Sequence, residues 1–272
     1  DELFGGYRSF RELPLLQKLL RSSAFVPRSW QAGGARLLTQ RLGRSAGGFP
    51  GQTRWSKLPD MLRRGGDLIG LYQLAYALFL PELQRDLLAA DFAEPLSDGL
   101  HPAMRQRLDG ETQGCSPLTA ISIMEQRIFL GERLLRDNDA ASMACSLEQR
   151  VPLVDQVLLE NVSRLPEASR FEPLGRKAIL RRIGLRGLDP ALFDRPKSGF
   201  VMPFDRWIRR GLKKAMDETL RDPAAVAAAG LNPATVERLW QAFLDGSPGI
   251  YWSRVWAIYA LVQWCHRNRV FR

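Results

Sequence analysis

The sequence predicts a mainly α protein. Apolar residues recur at helical spacing along most of its 272 positions, whereas no stretch of useful length alternates as a strand and no internal repeat is visible. A composition of 45% hydrophobic and 25% charged residues is that of an ordinary globular chain, enough for one large domain or two small ones, and it excludes disorder throughout.

The elements follow in order. In DELFGGYRSF, Asp1 and Glu2 ahead of Leu3 and Phe4 read first as acids at a helix N-terminus, where they complement exposed N–H groups. Gly5-Gly6 weakens a helix at that point and lets the backbone approach another group closely. Pro14 stands where a helix starts, and Leu15, Leu16, Leu19 and Leu20 then share one face. Residues 42–56, LGRSAGGFPGQTRWS, are rich in Gly and Ser and read as a mobile loop suited to recognition. DLIGLYQLAYALFLPEL, from Asp67, predicts a helix ending near Pro81 and a second helix through Leu87 and Leu88. Further helices are expected over Leu130–Cys145, Asp155–Leu165 and Lys177–Ile183, with a loop from Pro166 to Gly175. In YWSRVWAIYALVQW, the residues Trp252, Val255, Trp256, Tyr259 and Val262 form a stripe that reads as core packing.

Composition narrows function. No apolar run reaches the roughly 18 to 20 residues of a membrane span, because Leu71–Leu80 is short and stopped by Pro81. Cys115, Cys145 and Cys265 are odd in number and widely spaced, which argues against a disulfide framework or zinc site and for a reducing, cytoplasmic setting. His101 and His266 lie beside no nucleophile or metal-ligand partner and read as surface or half-buried positions. A net charge of +10 invites a nucleic-acid reading. The basic residues are nevertheless interleaved with acids, as in LRRGGD and LRDNDA, and no zinc finger, RNP signature or basic zipper is present. Nucleic acid is therefore not the expected partner, and a site for smaller phosphates uses the same charge.

Three stretches concentrate chemistry: DELFGGY; LLRDNDAASMACSLEQRVPLVD, from Leu134 to Asp155; and KAILRR at Lys177–Arg182 followed by RPKSGFVMPFDRWIR at Arg195–Arg209. Taken alone, Lys177 reads as a solvated helix charge, and Glu148 with Arg150 as a mutually paired network. The crowd of Asp137, Asp139, Ser142, Glu148, Arg150 and Asp155 is more polar than a buried helix end prefers. Cys145 reads as packing and not as a nucleophile.

In this order the three stretches resemble the synthetase domain of the glutamine-hydrolysing asparagine synthetase family, over residues 1–272, with a looser match from Leu37 to Thr112. The resemblance implies the helical C-terminal portion of an α/β ATP-pyrophosphatase (adenine nucleotide α-hydrolase-like) synthetase domain whose sheet lies mostly before residue 1. The family adenylates an acceptor carboxylate with ATP, releases pyrophosphate, and transfers glutamine-derived ammonia. Mg2+ and fixed cations meet the charge that grows on the departing phosphates. By resemblance Asp1 is the Mg2+ ligand, a hard carboxylate suited to that ion, and Lys177 is the catalytic ammonium that contacts the reacting phosphates. Asp1, Glu2, Arg150 and Asp137 are assigned to the ATP, pyrophosphate and acceptor site.

Departures limit what carries over. Asp137 stands where asparagine synthetases proper often have a basic residue, which favours a sugar acid as acceptor and resembles amidotransferases of polysaccharide clusters. No S-G-G-x-D-S pyrophosphate loop and no P-loop occurs in the chain, and the family's N-terminal glutaminase, the source of ammonia, is absent from it. Activity is therefore not expected from these residues alone. A non-catalytic helical interaction or nucleic-acid-binding module is the competing reading.

Overall fold

The computed structural model describes residues 1–22, 49, 54–93, 99–193 and 202–270. Its described elements are helices, with a single isolated antiparallel bridge between Leu88 and Leu231 and no strand ladder among the described residues, as the sequence predicts. No helix among the described residues is long and apolar enough to cross a membrane. The chain forms two compact units: Asp1–Arg21 with Gly66–Tyr72 and Arg105–Ser198, and Ser22–Gly65 with Gln73–Met104 and Gly199–Arg272.

The first unit opens with a turn, not a capped helix. Phe4 and Gly6 both donate backbone N–H to the Asp1 carbonyl, at 3.3 and 3.0 Å, and the first helix begins at Ser9. That helix, Ser9–Ser22, carries Pro14 inside it instead of at its start, so the hydrogen bond that residue 14 would make to Phe10 is lost. Its buried face is Phe10, Leu13, Gln17 and Leu20, whereas Leu15 and Leu19 point outward. Gln17 is buried because its amide donates to the Gly66 carbonyl at 2.9 Å, a contact the leucine pattern does not announce.

Three helical stretches run on without a break: Pro117–Met124, a π-helical stretch Glu125–Leu135, and Arg136–Met143. Ser116 caps the first, with Pro117 at the position where a missing N–H costs nothing. The helix expected over Leu130–Cys145 is thus the last part of a longer rod. Asp155 caps the Gln156–Ser163 helix by accepting from the Leu158 N–H at 2.8 Å, within the range read from sequence. The loop expected from Pro166 to Gly175 contains a short helix, Glu167–Phe171. Lys177 does not begin a helix conformationally: it precedes Ala178–Gly184 in the left-handed region, at φ 50° and ψ 51°.

The second unit is built on apolar area. The Leu68–Tyr76 helix, whose residues to Tyr72 belong to the first unit, stops before Ala77, and Pro81 opens Pro81–Leu87 as its first residue, which accounts for the two helices read around that proline. Phe204–Arg209, Lys213–Leu220, Pro223–Ala228, Pro233–Leu244 and Trp252–Asn268 supply most of a core that includes Ile208, Met216, Val226, Leu239, Trp240 and Phe243. Asp222 and Asn232 cap two of these helices, each followed by Pro. In the last helix Val255, Ile258 and Val262 are buried, and Trp252, Trp256 and Tyr259 pack partly against the same cluster. Of the loop expected over 42–56, most lies outside the described residues; Arg54–Ser56 open the helix Arg54–Arg64.

Candidate active site

The site is assembled within the first unit from three segments distant in sequence. Asp1 sits at the mouth of the opening turn, one-third exposed, and its carboxylate forms an ion pair with the Lys177 ammonium, itself one-quarter exposed. The two glycines explain why the turn has this form. Gly5 lies at φ +65°, accessible to glycine without strain, and its carbonyl accepts from the Gly175 N–H at 3.1 Å. A Cβ on Gly6 would fall 1.9 Å from the Asp1 carboxylate, so only glycine leaves that carboxylate its place.

Lys177 reaches Asp1 from the other side. Leu174 packs against Gly5, its carbonyl accepts from Arg11 at 2.6 Å, and Gly175, at φ +77°, leaves room for the Arg11 guanidinium. These contacts bring the segment before Lys177 onto the opening turn. The left-handed backbone at a non-glycine residue then turns the chain into Ala178–Gly184. Such a conformation costs on the order of 1 kcal/mol or more and persists where surrounding contacts fix it.

Glu2, the second predicted acid, has a different partner. Its carboxylate accepts from the Tyr7 hydroxyl at 2.7 Å. Burial pushes its carboxyl pKa up, whereas hydrogen bonds from its own backbone N–H and from Tyr7 pull it down.

In the central stretch Asp137, Asp139, Glu148, Arg150, Asp155 and Cys145 are exposed. Arg150 is 83% exposed and pairs with Glu148 at 2.9 Å, the mutual pairing that the residues alone suggest. Asp137 lies in the first turn of Arg136–Met143, where an acid is favourable. Of the predicted site residues, the fold therefore joins Asp1 and Lys177, keeps Glu2 next to Asp1 in the same turn, and places Asp137 and Arg150 on the exposed Leu134–Asp155 segment.

Sequence reasoning missed the residues that hold the turn. Arg170 is only 4% exposed; its guanidinium donates to Ser122 Oγ at 3.1 Å and makes longer contacts with the carbonyls of Leu3 and Ser163. Ser122 Oγ in turn donates to the Glu2 carbonyl at 2.7 Å. Fully buried Glu125 accepts from Ser9 and Tyr72. An arginine in EASRF and a serine in PLTAISIM carry no local signal of such roles. A cleft of about 660 Å3 elsewhere on this unit is lined by Gln126, Arg127, Leu130, Val154 and Gln156 among others, none of them a predicted site residue.

Comparison with known proteins agrees with the motif order. The asparagine synthase family model matches residues 1–267. A Mycobacterium tuberculosis H37Rv protein named "Putative asparagine synthetase (glutamine-hydrolyzing)" is 30% identical over 216 residues, covering 78% of this chain and 30% of the relative; a Mycobacterium bovis protein of the same name matches equally. "Asparagine synthetase (glutamine-hydrolyzing) 1" of Bacillus subtilis strain 168 is 24% identical over 222 residues, covering 82% of this chain and 32% of the relative. The chain thus spans about a third of the length of the curated relatives it matches. No solved structure matches it significantly. With a family model reaching across nearly every residue, the chain belongs to the asparagine synthase family.

Proposed function

We propose that this chain is the C-terminal part of the synthetase domain of an ATP-dependent amidotransferase, which adenylates an acceptor carboxylate and passes glutamine-derived ammonia to it. The observation that carries the reading is the Asp1–Lys177 pair: the carboxylate and the ammonium that the family motifs single out meet at one partly exposed point. In this reading Lys177 leaves Asp1 for the phosphates of ATP, where a compact ammonium stabilises the charge that develops as pyrophosphate departs. Asp1, released from the lysine, offers its oxygens to Mg2+.

The donors present fit that ion in a shared site. No cluster of three or more His, Cys, Asp or Glu residues is found among the described residues, so an all-protein cage is not available there. Magnesium commonly takes one or two carboxylates and completes its shell with water and phosphate oxygens. When bound, it would neutralise phosphate charge and orient the leaving group. Glu2, committed to Tyr7, shapes the turn and is not needed as a ligand. Ammonia is supplied by a glutaminase domain outside this chain.

Asp137 bears on the acceptor. Free aspartate presents a second carboxylate, and an acidic neighbour at contact distance in a partly wet site repels it by about 1 to 4 kcal/mol. A sugar acid lacks that second charge, so the acid at Asp137 favours it over aspartate. The experiment assays the complete gene product with ATP, glutamine and a panel of carboxylates, beside Asp137→Lys and Lys177→Ala. Amidation of a uronic acid, lost in Lys177→Ala, is the expected result. Efficient asparagine formation unimproved by Asp137→Lys overturns the sugar-acid reading, and turnover indifferent to Lys177→Ala overturns the role given to the lysine.

A further inference from the structure

Arg170 is the best-buried cation among the described residues of the first unit, and the Glu167 carboxylate acts on it. Burial pulls its guanidinium pKa below the ordinary value while the Glu167 carboxylate opposes the shift. A buried charge of this kind is retained only where its donors are used. They are used on Ser122 Oγ, the Leu3 carbonyl and the Ser163 carbonyl. Ser122 then carries the tie to the Glu2 carbonyl and accepts from Gln126 as well, so every position around its hydroxyl is filled. Two consecutive carbonyls of the opening turn, Glu2 and Leu3, therefore hang from one buried hub, immediately after the carboxylate of Asp1.

The same short helix reaches the other half of the pair. Glu167, one turn before Arg170, accepts from Ser116 and Thr119 and fixes the helix against the start of Pro117–Met124. Phe171, the next residue, packs on Phe10 with ring centres 5.5 Å apart and sits against Gly5. From there the chain passes through Leu174 and Gly175, both docked on Gly5 or Arg11, to Lys177. Asp1 and Lys177 thus approach each other from two segments anchored on either side of Arg170.

We propose that Arg170, acting through Ser122, is a positioning group that sets the separation of Asp1 and Lys177; this rests on the reading of that pair as the phosphate-activating site. The role requires a planar cation that serves Ser122 and Leu3 together. Lysine keeps the charge but is a compact point donor without the rigid, spread fork that spans the two acceptors. The consequence is local: loosening the hub frees the opening turn and the Gly175 segment without dismantling the helices around them.

The test has two arms. In the first, amide hydrogen exchange is measured on the complete gene product as wild type, Arg170→Lys and Ser122→Ala. Gly6, bonded to the Asp1 carbonyl, and Gly175, bonded to the Gly5 carbonyl, should exchange at least tenfold faster in both variants, while amides within Gln156–Ser163 and Pro233–Leu244 keep wild-type rates. Unchanged protection at Gly6 and Gly175, or an equal rise across the whole first unit, overturns the proposal. In the second arm, magnesium-dependent ATP–pyrophosphate exchange is measured on the complete gene product. Arg170→Lys and Ser122→Ala should raise the magnesium concentration for half-maximal rate at least fivefold, with glutaminase activity unchanged. If Asp1→Asn and Lys177→Ala leave that exchange untouched, the reading of the pair fails, and the amide arm still decides the hub. If those two variants abolish exchange while Arg170→Lys keeps wild-type magnesium dependence, the positioning role alone is overturned.

Discussion

The two units keep their interiors together by different means. In the second, a contiguous apolar cluster holds Trp240, Phe243, Leu239 and Ile208 at zero exposure, and its buried polar residues are few: Ser56, Thr235 and Arg254. The first buries Phe10, Leu71, Leu108, Ile121 and Met124, but threads them with Ser9, Gln17, Ser122, Glu125 and Arg170. Apolar contact is non-directional and tolerates small shifts, whereas a buried hydrogen bond demands position and orientation. Among the described residues, the unit that carries the candidate site is the one whose interior is the more directional. That is the arrangement expected where a carboxylate and an ammonium must be held at a fixed separation.

The largest expected effect breaks the apolar side of this comparison. Phe243 is fully buried, stacked on Trp240 with ring centres 5.7 Å apart, and covered by the Arg209 guanidinium at 4.1 Å. Phe243→Ala should cost about 3 to 5 kcal/mol, from lost transfer energy and the cavity left behind. Urea unfolding followed by tryptophan fluorescence measures it, because Trp240 lies in the same cluster. A loss under 1 kcal/mol would mean that this cluster does not hold the second unit.

Next comes the polar side. Glu125→Ala removes a fully buried acceptor and leaves the Ser9 and Tyr72 hydroxyls without it. Losing a buried hydrogen-bond partner costs about 1 to 3 kcal/mol per group, so a total of about 2 to 6 kcal/mol is expected. Glu125→Gln should recover part of that loss, since the amide oxygen still accepts from one hydroxyl. Equal stabilities of the two variants would show that orientation does not matter there, and the contrast between the units would lose its physical basis.

These contrasts also decide what was legible in the sequence. Apolar periodicity over the last helix picked out Val255 and Val262, which are buried, and Trp252, Trp256 and Tyr259, which pack partly against the same cluster, but not the buried Ile258 and Cys265. Asp155, with Pro152 before it, marked the start of Gln156–Ser163, and the pairs Ser116-Pro117, Asp222-Pro223 and Asn232-Pro233 carry the same cap signal for three helices that periodicity alone did not pick out. In Ser9–Ser22 four leucines suggested one face, but the partners Phe10 and Gln17 select another, and Gln17 is buried through a carbonyl that sequence cannot place. The motifs marked Asp1 and Lys177, whose side chains meet, although the left-handed turn at Lys177 has no sequence signature in a non-glycine residue. Arg170 was invisible, because a buried arginine and a solvated one are spelled alike.

A smaller effect separates the units by pH. Lys57, in the second unit, donates to the Ala75 carbonyl at 2.7 Å, and burial, with the Arg254 guanidinium adding to it, lowers its pKa from 10.5 to about 8. Above about pH 8 the folded chain has released this proton while the unfolded chain still binds it, so stability rises with pH until about 10.5, where the unfolded lysine also deprotonates. Discounted for partial contact with water, the gain is on the order of 1 to 2 kcal/mol. Lys57→Met should flatten the wild-type rise across that window. A difference between wild type and variant that stays constant from pH 7 to pH 10.5 would remove the protonation cost assigned to Lys57.

The smallest expected effect on stability falls on the exposed segment that neither interior claims. Arg150 and Glu148 are 83% and 71% exposed, and an ion pair so open to water contributes within about 0.5 kcal/mol. Arg150→Ala should therefore leave thermal unfolding of this chain almost unmoved. In the complete gene product the same change bears on function: a guanidinium that faces the acceptor or nucleotide loses activity without losing stability, as a directional contact to a ligand would. A drop in melting temperature of several degrees, with amidation unaltered, would instead make Arg150 a structural brace of the Leu134–Asp155 segment. The directional interior of the first unit would then extend to residues that lie at its surface in this chain.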